Sequence, residues 1–176
     1  MLPTVRNISL VALLLSTLTL PSAAQESGGA TGSRGCKAPE HRQFDFWVGD
    51  WDVTNPAGKP AGRNRIEPIL GGCALRETWT GAGGGHGTSY NAWDRQRRRW
   101  HQTWVDDDGL VLRLEGGFAD GKMVLSGETL DSAGAMVRNR ITWQETGPGV
   151  VRQLWEVSSD GGKTWRVAFD GTYRKR

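Results

Sequence analysis

The feature of this sequence that most limits its fold is an alternation of apolar and polar residues, broken by turn signals, that runs from residue 50 to the C-terminus. Period-2 alternation is typical of a β-strand with one buried and one exposed face. Clusters rich in glycine, proline, asparagine or aspartate separate the segments, as at Asn55-Pro56-Ala57-Gly58. The pattern predicts ten strands, near residues 50–55, 61–69, 73–80, 87–94, 98–105, 109–117, 122–130, 136–145, 149–158 and 164–174.

The short connections between these segments indicate how the strands pair. Neighbouring strands should be antiparallel, because a parallel pair needs a crossover of a dozen or more residues. Closing ten such strands into an up-and-down barrel is the simplest way to remove the sheet edges, and a two-sheet sandwich is the alternative. Residues 41–47 add a short helical turn. The predicted fold class is therefore all-β, a ten-stranded antiparallel barrel.

The N-terminus has the pattern of an export signal. Arg6 supplies a positive charge, residues 8–20 are apolar, and small residues lead to a cleavage site after Ala24. An apolar run of about a dozen residues is shorter than the roughly 20 that a membrane-spanning helix needs. We therefore expect a signal peptide over 1–24, a flexible Ser/Gly-rich linker over 25–35 and a barrel domain over 36–176. The mature protein would be periplasmic or secreted, without a membrane span.

Cysteine content and charge narrow the classes of partner. Cys36 and Cys73 are the two cysteines of the chain, and in an oxidising compartment we expect them to form a disulfide. The disulfide would close a loop of roughly 37 residues, which predicts a stabilisation of roughly 3–4 kcal/mol. The formal net charge of +3 is too small to predict a nucleic-acid partner.

Five polar residues share the strand face that is otherwise apolar. They are Asn64, Glu77, Gln102, Asn139 and Gln153. An unpaired buried polar group costs roughly 1–3 kcal/mol, so these residues predict either a cavity wall or an internal polar network that binds nothing. A filled barrel should contain no internal pocket above roughly 300 Å³, the lower end for ligand sites. The candidate ligand-binding residues are Asn64, Glu77, Trp79, Trp100, Gln102, Trp104, Asn139, Gln153 and Trp155.

Two of the strands test this sorting of faces. The alternation places Trp165 and Val167 on the interior face of the last strand. Strand 87–94 cannot be sorted, because Tyr90 and Trp93 fall on opposite faces.

Motifs for catalysis or cofactor binding are sparse. Glu77 is the candidate acid/base residue if the protein is an enzyme, since burial would raise the pKa of its carboxyl group. The histidines, His41, His86 and His101, have no metal-ligand spacing, so no metal site is predicted. No cofactor is predicted either; haem, with His86 or His101 as the axial ligand, is the alternative.

Two glycine-containing segments are interpreted as loops. Residues 81–87 lack the Lys-Ser/Thr pair of a phosphate-binding loop, so they are expected to form a loop at a barrel mouth. Residues 158–165 match the S-x-D-x-G-x-T-W pattern of an Asp-box, a hairpin turn known from sialidase propellers. A propeller needs several copies, so one copy predicts a structural turn.

Several motifs together resemble one known family. The stretch from Phe44 to Val53, FDFWVGDWDV, is similar to the opening of an uncharacterised bacterial family of exported, lipocalin-like domains. Residues 71–79, 100–106 and 151–156 resemble the same family, so the likeness covers nearly all of the chain after Cys36. It implies a calycin-type barrel, related in shape to lipocalins, fatty-acid-binding proteins and haem-binding nitrobindins. It implies no reaction, and the G-x-W-x-G-x-G motif of nitrobindins is absent.

Three functions remain open from the sequence. The leading hypothesis is an exported barrel that binds a small, largely apolar molecule carrying a polar group. The second is an isomerase-type or hydrolase-type barrel enzyme that uses Glu77. The third is a filled structural or interaction module whose basic rim meets an anionic surface.

Overall fold

The alternating segments form a closed barrel. The computed structural model describes residues 36–176, so the predicted signal peptide (1–24) and linker (25–35) lie outside the described residues. Each strand pairs antiparallel with its sequence neighbours, and the last strand closes onto the first. The predicted barrel is confirmed, and the sandwich alternative is wrong. The strands are β1 (Gly49–Thr54), β2 (Pro60–Ile69), β3 (Ala74–Gly81), β4 (His86–Asp94), β5 (Arg99–Asp106), β6 (Val111–Ala119), β7 (Lys122–Leu130), β8 (Met136–Gly147), β9 (Val150–Ser158) and β10 (Arg166–Lys175).

One end of the barrel is closed by the segment before β1. Two short 3₁₀ helices, Pro39–Arg42 and Asp45–Trp47, precede the first strand, and a third, Leu70–Gly72, joins β2 to β3. Phe44 and Trp47 are 0 % exposed and stack on each other with ring centroids 4.8 Å apart. Phe44 also meets Trp100 and Trp143 edge-on, at 5.6 and 5.2 Å. This segment, residues 39–47, is a plug that fills the closed end with aromatic side chains.

A disulfide fastens the plug to the barrel. Cys36 and Cys73 are bonded, which confirms the predicted pair. Cys36 precedes the plug and Cys73 precedes β3, so the bond joins the two segments at the closed end. Such bonds persist in oxidising environments, in agreement with folding outside the reducing cytoplasm. Within residues 36–176 no helix has the length and apolarity needed to cross a membrane.

The opposite end carries the β3–β4 loop and the Asp-box hairpin between β9 and β10. Asp160 accepts hydrogen bonds from the backbone of Lys163 and Thr164 and from the hydroxyls of Thr164 and Ser158. These bonds, those from Thr164 above all, hold the pKa of Asp160 well below its usual range. The predicted structural turn is confirmed.

Two residues predicted to face the interior lie outside it. Trp165 precedes β10; its indole donates to the Gly162 carbonyl at 3.1 Å and packs under the Arg140 guanidinium at 4.1 Å. Val167 is 54 % exposed, because a β-bulge between Val167 and Phe169 shifts the alternation by one residue. Both predictions failed because simple alternation does not continue through a hairpin end and a bulge.

Candidate ligand-binding cavity

A cavity of about 190 Å³ lies in the open half of the barrel. Apolar aromatic rings enter its wall from five residues: Trp79, Trp104, Trp143, Trp155 and Phe169. Polar groups enter the wall from four residues: Glu77, Gln102, Gln153 and Tyr173. Leu112, Ile141 and Ala168 complete it.

The cavity volume corrects the expected ligand size. It is smaller than the roughly 300 Å³ at the lower end for drug-sized ligands, so the volume meets the expectation for the filled barrel. It exceeds the roughly 150 Å³ of an engineered cavity that admits benzene. The space therefore suits a molecule of about one ring with a substituent, and in this conformation it is too small for a haem group.

Inward-facing glycines make room for the aromatic wall. Gly87 on β4 lies under the Trp104 ring, and a Cβ added there would overlap Cζ2 and Cη2 of that ring. Gly62 on β2 has the same relation to Trp79. Each ring can lie flat against the neighbouring strand because no side chain stands beneath it. The space in the middle of the barrel stays open as a result.

Among residues 36–176, Glu77 is the one carboxylate residue that is buried. β3 runs towards the open end, so Glu77 lies one inward position deeper than Trp79. Its side chain is buried, at 4 % exposure. Asn64 Nδ2 donates to Oε1 at 2.7 Å, and Ser89 Oγ donates to Oε2 at 2.6 Å. Burial raises the pKa of Glu77 to about 7, although the two hydrogen bonds act in the opposite direction.

The hydrogen bonds continue on both sides of Glu77. On one side, Asn91 donates to Ser89 Oγ at 2.8 Å, and Gln102 donates to Asn91 Oδ1 at 2.7 Å. On the other, Asn64 donates to the Tyr173 hydroxyl at 3.4 Å, and that hydroxyl donates to Gln153 Oε1 at 2.5 Å. We call this series of hydrogen-bonded side chains the polar belt. In order, it comprises Gln153, Tyr173, Asn64, Glu77, Ser89, Asn91 and Gln102.

The polar belt leaves two amide atoms unused. Gln153 Nε2 and Gln102 Oε1 make no hydrogen bond within residues 36–176, and neither is among the fully enclosed unpaired atoms of that region. Both residues line the cavity. The wall therefore offers a ligand one free donor and one free acceptor, in addition to the carboxyl group of Glu77.

A scan against models of known protein families found no match, and a search of curated proteins found no similar sequence. The resemblance to an exported lipocalin-like family therefore stays a prediction. Among residues 36–176, no group of three or more His, Cys, Asp or Glu side chains is placed to hold a metal ion.

The structure brings six of the nine predicted site residues to the cavity wall. These six are Glu77, Trp79, Gln102, Trp104, Gln153 and Trp155. Asn64 lies behind Glu77 and holds it. Asn139 accepts from Trp155 Nε1 at 3.0 Å and donates to Thr129, so it positions one wall residue. Trp100 belongs to the closed end, where it donates to Gln43 and packs on the plug.

Sequence reasoning missed part of the site. Ser89 and Asn91 lie on β4, where Trp93 is the one large apolar side chain on the inward face, so no apolar stripe marks that face. The strand register could have identified them, because it pairs Ser89 on β4 with Glu77 on β3. Tyr173 was assigned to the interior but not to the site, and Ala168 and Phe169 enter the wall beside the bulge of β10.

Proposed function

We propose that this barrel binds a small, largely apolar molecule that carries one polar group. The observation that carries the proposal is the pair of free amide atoms, Gln153 Nε2 and Gln102 Oε1, on the wall of an aromatic cavity. Neither atom is enclosed, so a ligand in the cavity can accept from one and donate to the other without displacing a bond of the polar belt. Apolar walls with a few placed polar groups are the usual composition of a small-molecule site.

The wall also suggests the ligand's shape. Trp79, Trp104 and Trp155 are partly buried, so their rings are reachable from the open end. Flat aromatic walls favour a planar or compact apolar group, which stacks against them or meets their edges. The polar end of the ligand would point inward, towards Glu77 and the two glutamines.

An enzyme that uses Glu77 is the second candidate, and the raised pKa of Glu77 is the observation in its favour. Acid/base chemistry commonly divides the proton transfers between two groups. Among the cavity residues, the other titratable group is Tyr173, whose pKa burial raises well above its usual value. Binding therefore explains the arrangement more simply, because it requires no second group that transfers protons. If the wild-type protein turns over a substrate and a folded Glu77→Gln variant does not, the protein is an enzyme.

Ring-sized probes test the binding proposal. We expect benzyl alcohol or benzylamine, titrated into the protein, to give saturable changes in tryptophan fluorescence and saturation-transfer NMR signals. Ala168→Phe is the matched control: Ala168 lies on the cavity wall and is itself exposed, so a ring there obstructs the mouth without entering the core. Equal signals from both proteins, or none from either, would contradict the proposal.

A further inference from the structure

Glu77 is a buried carboxylate without a cationic partner. Asn64 on β2 and Ser89 on β4 face it directly, and the titratable Tyr173 on β10 is linked to it through Asn64. No Lys, Arg or His is among the buried residues between 36 and 176. An ionised carboxylate has about four acceptor positions, of which these neighbours use two. Glu77 thus retains capacity for a positively charged donor that residues 36–176 do not supply.

The cavity wall around Glu77 also suits a cation. Trp79, Trp104, Trp143 and Trp155 enclose the same space, and an aromatic face attracts a cation within about 6 Å of its centre. The attraction is strongest for tryptophan and increases when water is excluded. Aliphatic side chains could line a cavity for a neutral ligand equally well, but they would not attract a cation.

We propose that the polar group of the ligand is a cation, so that the cavity takes a small organic ammonium compound. Its charge meets the Glu77 carboxylate, and its apolar part lies among the tryptophan rings. The inference rests on the proposed binding function and names its ligand class. A carboxylate ligand such as a fatty acid would place a second negative charge beside Glu77, which is unfavourable in a buried site.

Cation binding should be linked to the titration of Glu77. The ligand requires the ionised carboxylate, and the pKa of Glu77 in the free protein is about 7. Below that pH the ligand has to displace a proton, so its affinity should fall about tenfold for each pH unit. Between pH 8 and pH 5 the dissociation constant should rise on the order of 100-fold. Aliphatic amines stay protonated over this range, and Tyr173 remains neutral, so neither adds to the dependence.

Three compounds of the same size separate charge from shape: benzylamine, benzyl alcohol and benzoate. We expect benzylamine to bind the protein at least tenfold more tightly than benzyl alcohol at pH 8, and benzoate to bind most weakly. The preference for benzylamine should disappear at pH 5 and in Glu77→Gln. It should persist in Glu145→Gln, which removes the same charge from an exposed position on β8.

The outcomes separate this inference from the function on which it rests. If benzyl alcohol binds as tightly as benzylamine at both pH values, the cavity binds ligands and the cation inference is wrong. If none of the three compounds binds, the binding function fails for ligands of this size, and the inference fails with it. If Glu77→Gln does not fold, the comparison between pH 5 and pH 8 in the wild-type protein still decides.

Discussion

Replacing Glu77 by glutamine should stabilise the protein at neutral and alkaline pH. The pKa of Glu77 is raised from 4.5 to about 7 by burial, so the folded state resists its ionisation. Below pH 4.5 the group is protonated in both the folded and the unfolded chain, and it costs nothing. As the pH rises towards 7 the unfolded chain releases its proton first, and stability falls until the folded state also ionises.

The size of this effect follows from the two pKa values. A shift of about 2.5 units, at 1.36 kcal/mol per unit, corresponds to roughly 3 kcal/mol above pH 7. The amide introduced by Glu77→Gln carries no charge and avoids this cost. Its NH₂ group can donate to Asn64 Oδ1, which is buried and unpaired in the wild-type fold, once the Asn64 amide turns over.

Urea unfolding of wild-type and variant proteins at pH 4, 6 and 8 measures the difference directly. We expect the free energies of unfolding of Glu77→Gln and wild type to agree at pH 4 and to diverge in favour of the variant by up to roughly 3 kcal/mol at pH 8. Glu145→Gln, at an exposed position, should stay within about 0.5 kcal/mol of wild type throughout. A variant that is less stable than wild type at pH 8, or a difference that does not change with pH, would refute the reasoning.

Two further substitutions test the cavity wall and the closed end. Gly87→Ala should push the Trp104 ring into the cavity and weaken benzylamine binding. Gly85→Ala is the control and should leave binding unchanged, because its Cβ meets only ordinary contacts. Ligand-observed NMR measures both affinities, and equal affinities would contradict the role given to Gly87. Replacing Cys36 and Cys73 by serine should lower the free energy of unfolding by roughly 3–4 kcal/mol, because the disulfide closes a loop of 37 residues. Adding a reductant to this variant should not lower its stability further. An unchanged midpoint of urea unfolding would show that the bond does not stabilise the fold.

The strands were predictable because each has a local signal. Alternation and turn residues placed every strand end within two residues of its position in the fold. The same alternation turned Glu77, Gln102 and Gln153 inward, since a residue's face follows from its parity along the strand. The prediction failed where parity changes within a strand, as at the bulge beside Val167.

The depth of a residue along the barrel could not be predicted from alternation. Trp100 and Trp104 share a face of β5, yet the first packs on the plug and the second lines the cavity. Which end the plug closes depends on contacts far apart in sequence, such as that between Phe44 and Trp143. The cavity volume depends on ring orientations over glycines such as Gly87, which no local pattern reports.

Indole N–H resonances provide the most direct test that the cavity is the binding site. The chain has nine tryptophans, and they are distributed over the cavity wall, the closed end and the outer surface. On titration with benzylamine at pH 8, the account predicts shifts in the indole N–H signals of the four wall residues Trp79, Trp104, Trp143 and Trp155. The signal of Trp165, on the outer surface, should stay in place. Shifts confined to Trp165, or no shift in any of the four wall residues, would contradict binding inside the barrel.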